Sequence, residues 1–131
     1  MKGENTVRID RIDHFVLTVA DLEATCRFYC DGLGMTRVSF GEGRHALAFG
    51  RQKINLHIKG AELEPKAWIP QPGSGDFCLI SDEPVEAWMA HLSRLGIAVE
   101  LPPSPRTGAT GPIRSIYLRD PDGNLVEVSN Y

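Results

Sequence analysis

Ile12-Asp13-His14-Phe15-Val16-Leu17-Thr18-Val19 opens a pattern that this chain repeats. The stretch is short, apolar and rich in β-branched residues, so it reads as a strand. Asp21 then stands where a helix N-cap belongs. Leu22, Cys26, Tyr29 and Leu33 recur behind it at helical spacing, and Gly32 and Gly34 stop the helix. Strands are expected at 35–40, 45–49 and 53–59, separated by Gly41-Glu42-Gly43 and Gly50-Arg51-Gln52. The order is a strand, a helix and three strands.

The same order returns after a connector carrying Pro65, Pro70, Pro72, Gly73 and Gly75. Asp76-Phe77-Cys78-Leu79-Ile80 reads as a strand. Pro84 suits a first helical turn, and Val85, Trp88, Leu92 and Leu95 make an apolar stripe stopped by Gly96. Strands are expected at 98–101, 115–119 and 124–130, the last two joined by the hairpin turn Asp120-Pro121-Asp122-Gly123. The expected fold is therefore α+β: two βαβββ modules, about 8–62 and 75–131, within one domain spanning 1–131. The repeat lies in the order of elements more than in residue identity.

Composition narrows the function classes. The 131 residues include 14 Lys+Arg against 17 Asp+Glu, a formal charge of -3, with 42% hydrophobic residues. That apolar content is enough to offset ordering entropy, which excludes a disordered chain. The acidic balance speaks against nucleic acid, and no apolar run is long enough to cross a bilayer. Met1-Lys2-Gly3-Glu4-Asn5 has no apolar stretch behind it, so no secretory signal is expected. Three cysteines, an odd number, fit a reducing, cytoplasmic compartment rather than a disulfide framework. Cys26 and Cys30 have a spacing that a metal would accept, but read more simply as small helix packing residues. Cys78 needs no chemistry of its own.

Strand alternation sorts the chemistry-bearing residues by face. In the first strand Phe15, Leu17 and Val19 share one face, and His14 lies on the other with Ile12 and Val16. In 53–59, Ile54, Leu56 and Ile58 oppose Asn55 and His57. In the last strand Val126 and Val128 pack inward while Glu127 faces away. His14 and Asp76 open their modules, and His57 and Glu127 close theirs. Asp76 follows His14 by 62 residues and Glu127 follows His57 by 70. The difference matches the longer 101–112 loop of the second half. Pseudo-symmetric modules would gather these positions about one cavity, where two imidazoles and a carboxylate suit a divalent ion such as Zn, Ni, Fe, Mn or Co. The plainer reading of each histidine is a half-buried strand residue bonded to a carbonyl, and of Asp76 a turn residue. Glu127 between two valines is harder to place without a partner. His45 and His91 read as exposed.

Three stretches carry a resemblance: Asp13 to Val19 with Asp21 and Phe28-Tyr29; Leu33-Gly34-Met35; and Asp120 to Glu127. The chain resembles the vicinal oxygen chelate superfamily, the glyoxalase, bleomycin-resistance and extradiol-dioxygenase group, from Arg11 to Tyr131. Residues 52–57 and 106–113 resemble its glyoxalase-domain-containing proteins. The resemblance implies an open, curved mixed sheet around a cavity, helices on its outer face, and a homodimer. It also implies a divalent metal on His14, His57 and Glu127, with Asp76 as a fourth or outer ligand. Glu127 would double as the catalytic base. Asn55, Arg106 and Thr107 would meet a small-molecule substrate, the last two from a closing loop. His57 falls where glyoxalase I enzymes place a Glu, and Asp76 where they place a His. The implied activity is of the lactoylglutathione-lyase type, a lyase or isomerase. The alternatives are ring-cleaving dioxygenation and metal-free sequestration of a ligand or antibiotic.

Overall fold

A computed structural model describes residues 6–131, so the reading of Met1 to Asn5 lies outside the described residues. In chain order the elements are β1 (His14–Val19), α1 (Leu22–Arg27), a π-helical turn (Phe28–Gly32), β2 (Thr36–Phe40), β3 (Arg44–Phe49) and β4 (Gln52–Ile58). The second half follows with β5 (Asp76–Ile80), α2 (Val85–Arg94), β6 (Ser104–Gly108), β7 (Gly111–Arg119) and β8 (Leu125–Asn130). The strands make two four-stranded mixed sheets, ordered β1-β4-β3-β2 and β5-β8-β7-β6. In each, the first strand runs parallel to the last and the others are antiparallel. The α+β fold with two βαβββ modules is thus present. Among the described residues no helix is long and apolar enough to cross a membrane.

Local chemistry explains the first module. Asp21 has extended backbone and its Oδ1 accepts from Ala24 N at 3.0 Å, capping α1 as read from sequence. The helix then widens into the π-helical turn, and the chain leaves through Gly34 at φ 75°. The widened turn leaves Tyr29 fully buried. In the second module Pro84 is the N-cap of α2, one position earlier than expected, and it offers no side-chain cap. Asn130 of β8 supplies one instead, its Oδ1 accepting from Val85 N at 2.8 Å. Leu95 is exposed rather than part of the buried stripe.

One expected strand is absent. Residues 98–101 are not a strand, although Glu100 N donates to Tyr117 O at 2.8 Å. Pro102 and Pro103 follow, and without N–H groups they cannot extend a ladder. The pairing passes to β6, which lies inside the segment read as a loop.

Both helices pack on one face of their sheets. Leu17, Val19, Ile54 and Leu56 of the first sheet join Val85, Leu92, Ile116, Val126 and Val128 of the second half in a single buried cluster. Phe15 meets Phe77 edge-on at 5.0 Å between ring centres, which joins the modules beside β1 and β5. The opposite sheet faces carry His14, Asn55, His57 and Glu127.

Candidate functional site

Strand register decides which residues are equivalent. His14 pairs with Lys53, Val16 with Asn55 and Thr18 with His57. Asp76 pairs with Leu125, Cys78 with Glu127 and Ile80 with Ser129. With His14 and Asp76 matched, Asn55 holds the place of Glu127, and His57 that of Ser129. The equivalence of His57 with Glu127 read from sequence is corrected by one β period. A two-residue slip keeps every side chain on its face, so alternation could not reveal it.

The first half of the site is a pocket of about 440 Å³ lined by His14, Val16, Arg44, Asn55, His57 and Glu64, among others. Asn55 is only 5% exposed, and its Oδ1 is buried without a hydrogen-bond partner. His57 is buried and His14 exposed. His14 Nδ1 lies 2.8 Å from Asp13 Oδ2, which holds the Asp13 carboxyl below its usual range. A carboxylate on Nδ1 favours the tautomer that leaves Nε2 as the ligating nitrogen.

The second half lies on the other sheet. Ser115 Oγ donates to Glu127 Oε2 at 2.6 Å, and the Ser129 hydroxyl lies 2.6 Å from Ser115 Oγ. Cys78 Sγ is 3.2 Å from Ser129 Oγ. Burial, together with the Glu127 charge, pushes the Cys78 thiol up, so it is not an activated nucleophile. Burial likewise raises Cys26 and Cys30. The two serines were missed in the sequence. Ser129 was legible as the same-face neighbour of Glu127, but Ser115 required the β7–β8 register.

Arg106 and Thr107 lie on β6, paired with Ile113 and Pro112, so they belong to an edge strand and not to a closing loop. Arg106 Nε donates to the Tyr117 hydroxyl at 2.8 Å, and Tyr117 pairs with Glu127, which sets Arg106 on the Glu127 face. Thr107, the next residue, points to the opposite face. His45 is half-buried beside Ser39, and His91 Nε2 is 2.9 Å from Gly32 O. Neither is simply exposed.

A cleft of about 950 Å³ runs between the edges of β1 and β5 under the connector, lined by His57, Asp76, Phe15 and Phe77 among others. His57 therefore borders both cavities. Among the described residues, no group of three or more His, Cys, Asp or Glu side chains lies close enough to hold a metal. His14 and His57 line one pocket, but His14 pairs with Lys53 and His57 with Thr18, so four residues of strand separate them; Glu127 lies on the other sheet. What the first half offers a divalent ion is two donors, the His14 imidazole oriented by Asp13 and the orphaned Asn55 Oδ1 two residues along the ladder, so further ligands would have to come from elsewhere.

Residues 11–128 match the model of the glyoxalase/bleomycin resistance protein/dioxygenase superfamily. The chain belongs to that superfamily. Virulence protein STM3117 of Salmonella typhimurium is 54% identical over 94% of this chain and 85% of its own. Its crystal structure has a TM-score of 0.94 at 53% identity, covering 95% of this chain and 99% of that one. Glyoxalase domain-containing protein RDO1 of Mycosarcoma maydis is 51% identical over 99% of this chain and 73% of its own. Lactoylglutathione lyase of Agrobacterium tumefaciens has a TM-score of 0.71 at 29% identity, covering 94% of this chain and 95% of that one. The superfamily includes lyases and isomerases, and its members commonly bind a divalent metal and small molecules.

Proposed function

We propose that this chain is a divalent-metal-dependent lyase or isomerase acting on a small substrate with two neighbouring oxygens. The observation that carries the reading is the pocket in which His14, oriented by Asp13, sits with His57 and the orphaned Asn55 Oδ1. In this reading His14 and the Asn55 oxygen hold the ion, Glu127 completes the set and Asp76 is an outer ligand, while His57, four residues along the ladder from His14, lines the pocket rather than sharing the ion as read from sequence. A second copy brings Glu127 to His14, since one chain keeps them apart. Val7, Ile9 and Trp68, exposed at 85%, 92% and 97%, are apolar surface that a homodimer would cover.

When bound, the ion polarises the substrate oxygens as a Lewis acid. Ser115 holds Glu127 through Oε2, which leaves Oε1 to accept a proton from the carbon beside the polarised oxygens and to return it to the neighbouring carbon. Arg106, fixed on Tyr117, orients a polar substrate group on the same face.

The test is metal analysis of untagged protein, then assay of the metal-loaded form on the methylglyoxal–glutathione hemithioacetal. Bound metal and isomerisation support the proposal. Absence of metal, with no thermal stabilisation by Ni, Zn, Mn or Fe(II), overturns it.

A further inference from the structure

The proposed chemistry leaves most of the cleft between the edges of β1 and β5 unused. At about 950 Å³ this cleft is larger than the His14 pocket, and cavities of roughly 300–1,000 Å³ suit small ligands. Its walls are apolar: Phe15 and Phe77 meet edge-on between the two strands, with Phe49, Leu17 and Ile69 around them. Its carboxylate and ammonium groups lie at the rim. Asp76 and Lys66 are exposed, and Lys66 lies 3.8 Å from Glu62 and 3.6 Å from Glu64. Two buried polar side chains border the interior. Thr18 and His57 pair across the β1–β4 ladder, so they stand side by side on one sheet face with their strands about 4.8 Å apart. Each is only 8% exposed, and among the described residues neither side chain has a hydrogen-bond partner. Both line the cleft, so what occupies the cleft must supply those partners.

We infer that this cleft binds an uncharged aromatic alcohol, a flat ring system carrying one hydroxyl. The rings fill the space beside Phe15, Phe49 and Phe77, where a further aromatic ring packs edge-on or offset against those present. The hydroxyl reaches Thr18 and His57. A neutral imidazole offers one N–H and one lone pair, and a threonine hydroxyl both donates and accepts. A ligand hydroxyl donates to the imidazole lone pair while accepting from Thr18, so one group satisfies two orphans. A carbonyl only accepts and leaves the lone pair unmatched. A carboxylate is a poorer match still, because Lys66 is held between two glutamates at the rim and Asp76 repels it there. Thr18 and His57 are thus specificity-determining residues of a site that needs no ion.

The probes are naphthalene, 2-naphthol and 2-naphthoate, which share a ring system and differ by a hydroxyl or a carboxylate. Equilibrium dialysis against untagged, metal-free protein reads all three. 2-Naphthol is expected to bind about tenfold more tightly than naphthalene, the effect of one hydroxyl pairing two orphaned groups. 2-Naphthoate is expected to bind more weakly than 2-naphthol. Thr18→Val keeps the side-chain shape without the hydroxyl, and His57→Phe keeps a ring without its nitrogens. Each should shrink the preference for 2-naphthol, and the double variant should abolish it. Thermal melts check that the variants fold; if the double variant does not, Thr18→Val alone decides. Failure of 2-naphthol to bind, equal binding of 2-naphthol and naphthalene, or tighter binding of 2-naphthoate overturns the inference. So does a preference that survives the substitutions. Divalent-ion binding, measured separately on the wild type, bears on the proposed function and leaves this inference untouched.

Discussion

The Tyr29 hydroxyl donates to Asp120 Oδ2 at 2.7 Å, joining the π-helical turn of the first module to the β7–β8 turn of the second across 91 residues. Both residues are buried. The same carboxylate accepts from Asn124 Nδ2 at 2.7 Å and from the backbone N–H groups of Asp122 and Asn124, both at 2.9 Å. Burial and the Asp120 charge push the Tyr29 phenol far above its usual range, so it remains a donor at every working pH. Tyr29→Phe removes one bond to a buried charge and should cost about 1.5–3 kcal/mol. Urea denaturation followed by fluorescence would show a lower midpoint with an unchanged slope.

Two glycines with nearly the same backbone separate strain from collision. Gly60 has φ 87° with nothing near an added Cβ, whereas at Gly73, φ 88°, a Cβ would lie 2.6 Å from the Asp122 carbonyl oxygen. Gly60→Ala should cost about 1–2 kcal/mol, the price of a left-handed alanine. Gly73→Ala should cost more, because the Asp122 backbone must also shift. Thermal unfolding of the pair measures the difference.

The acid limb of stability should depend on two surface ties. Arg119 bonds Glu100 through Nε at 3.0 Å, and Arg114 bonds Glu86 of α2. Each guanidinium holds its carboxyl below the ordinary value of 4.5. A lowered folded value stabilises the protein fully above 4.5, and the contribution is lost as pH falls through the lower folded value. Glu100→Gln should therefore flatten the stability profile below pH 4.5. Chemical denaturation at a series of pH values would test this; an unchanged acid limb would contradict it.

Removing the orientation of His14 should weaken the proposed ion site without unfolding the protein. Asp13 is exposed, so Asp13→Asn should leave the melting temperature of the metal-free form in place and lower Mn2+ or Ni2+ affinity about 10–100-fold. Calorimetric titration reads the change. His14→Ala should abolish binding in the same experiment.

Ser115 is buried and holds the Glu127 carboxylate. Ser115→Ala should cost about 1–3 kcal/mol, since Glu127 and Ser129 both lose a partner. Wild type and variant compared by denaturation, with and without bound metal, should differ more in the metal-bound form if Glu127 is a ligand.

Most of the fold was legible because its signals are local. The alternation in β1, β4 and β8, the Asp21 cap and the Gly34 exit all lie within a few residues of what they specify. β6 was not legible. Pro105 and Gly108 read as loop, and only pairing with Arg114 and Gly111 makes them an edge strand. For the site, alternation put His14, Asn55, His57 and Glu127 on the right faces but matched His57 with Glu127 where the ladders match Asn55.

The sequence by itself determined that there are two βαβββ modules and which side chains leave the core, because both follow from periodicity along one strand or helix. Only the tertiary structure decided what those side chains meet. Register between distant strands left Asn55 Oδ1 buried without a partner beside two imidazoles, and the separation of the sheets kept Glu127 from them. Register and sheet separation are set by packing over the whole core, so no short stretch of sequence carries them.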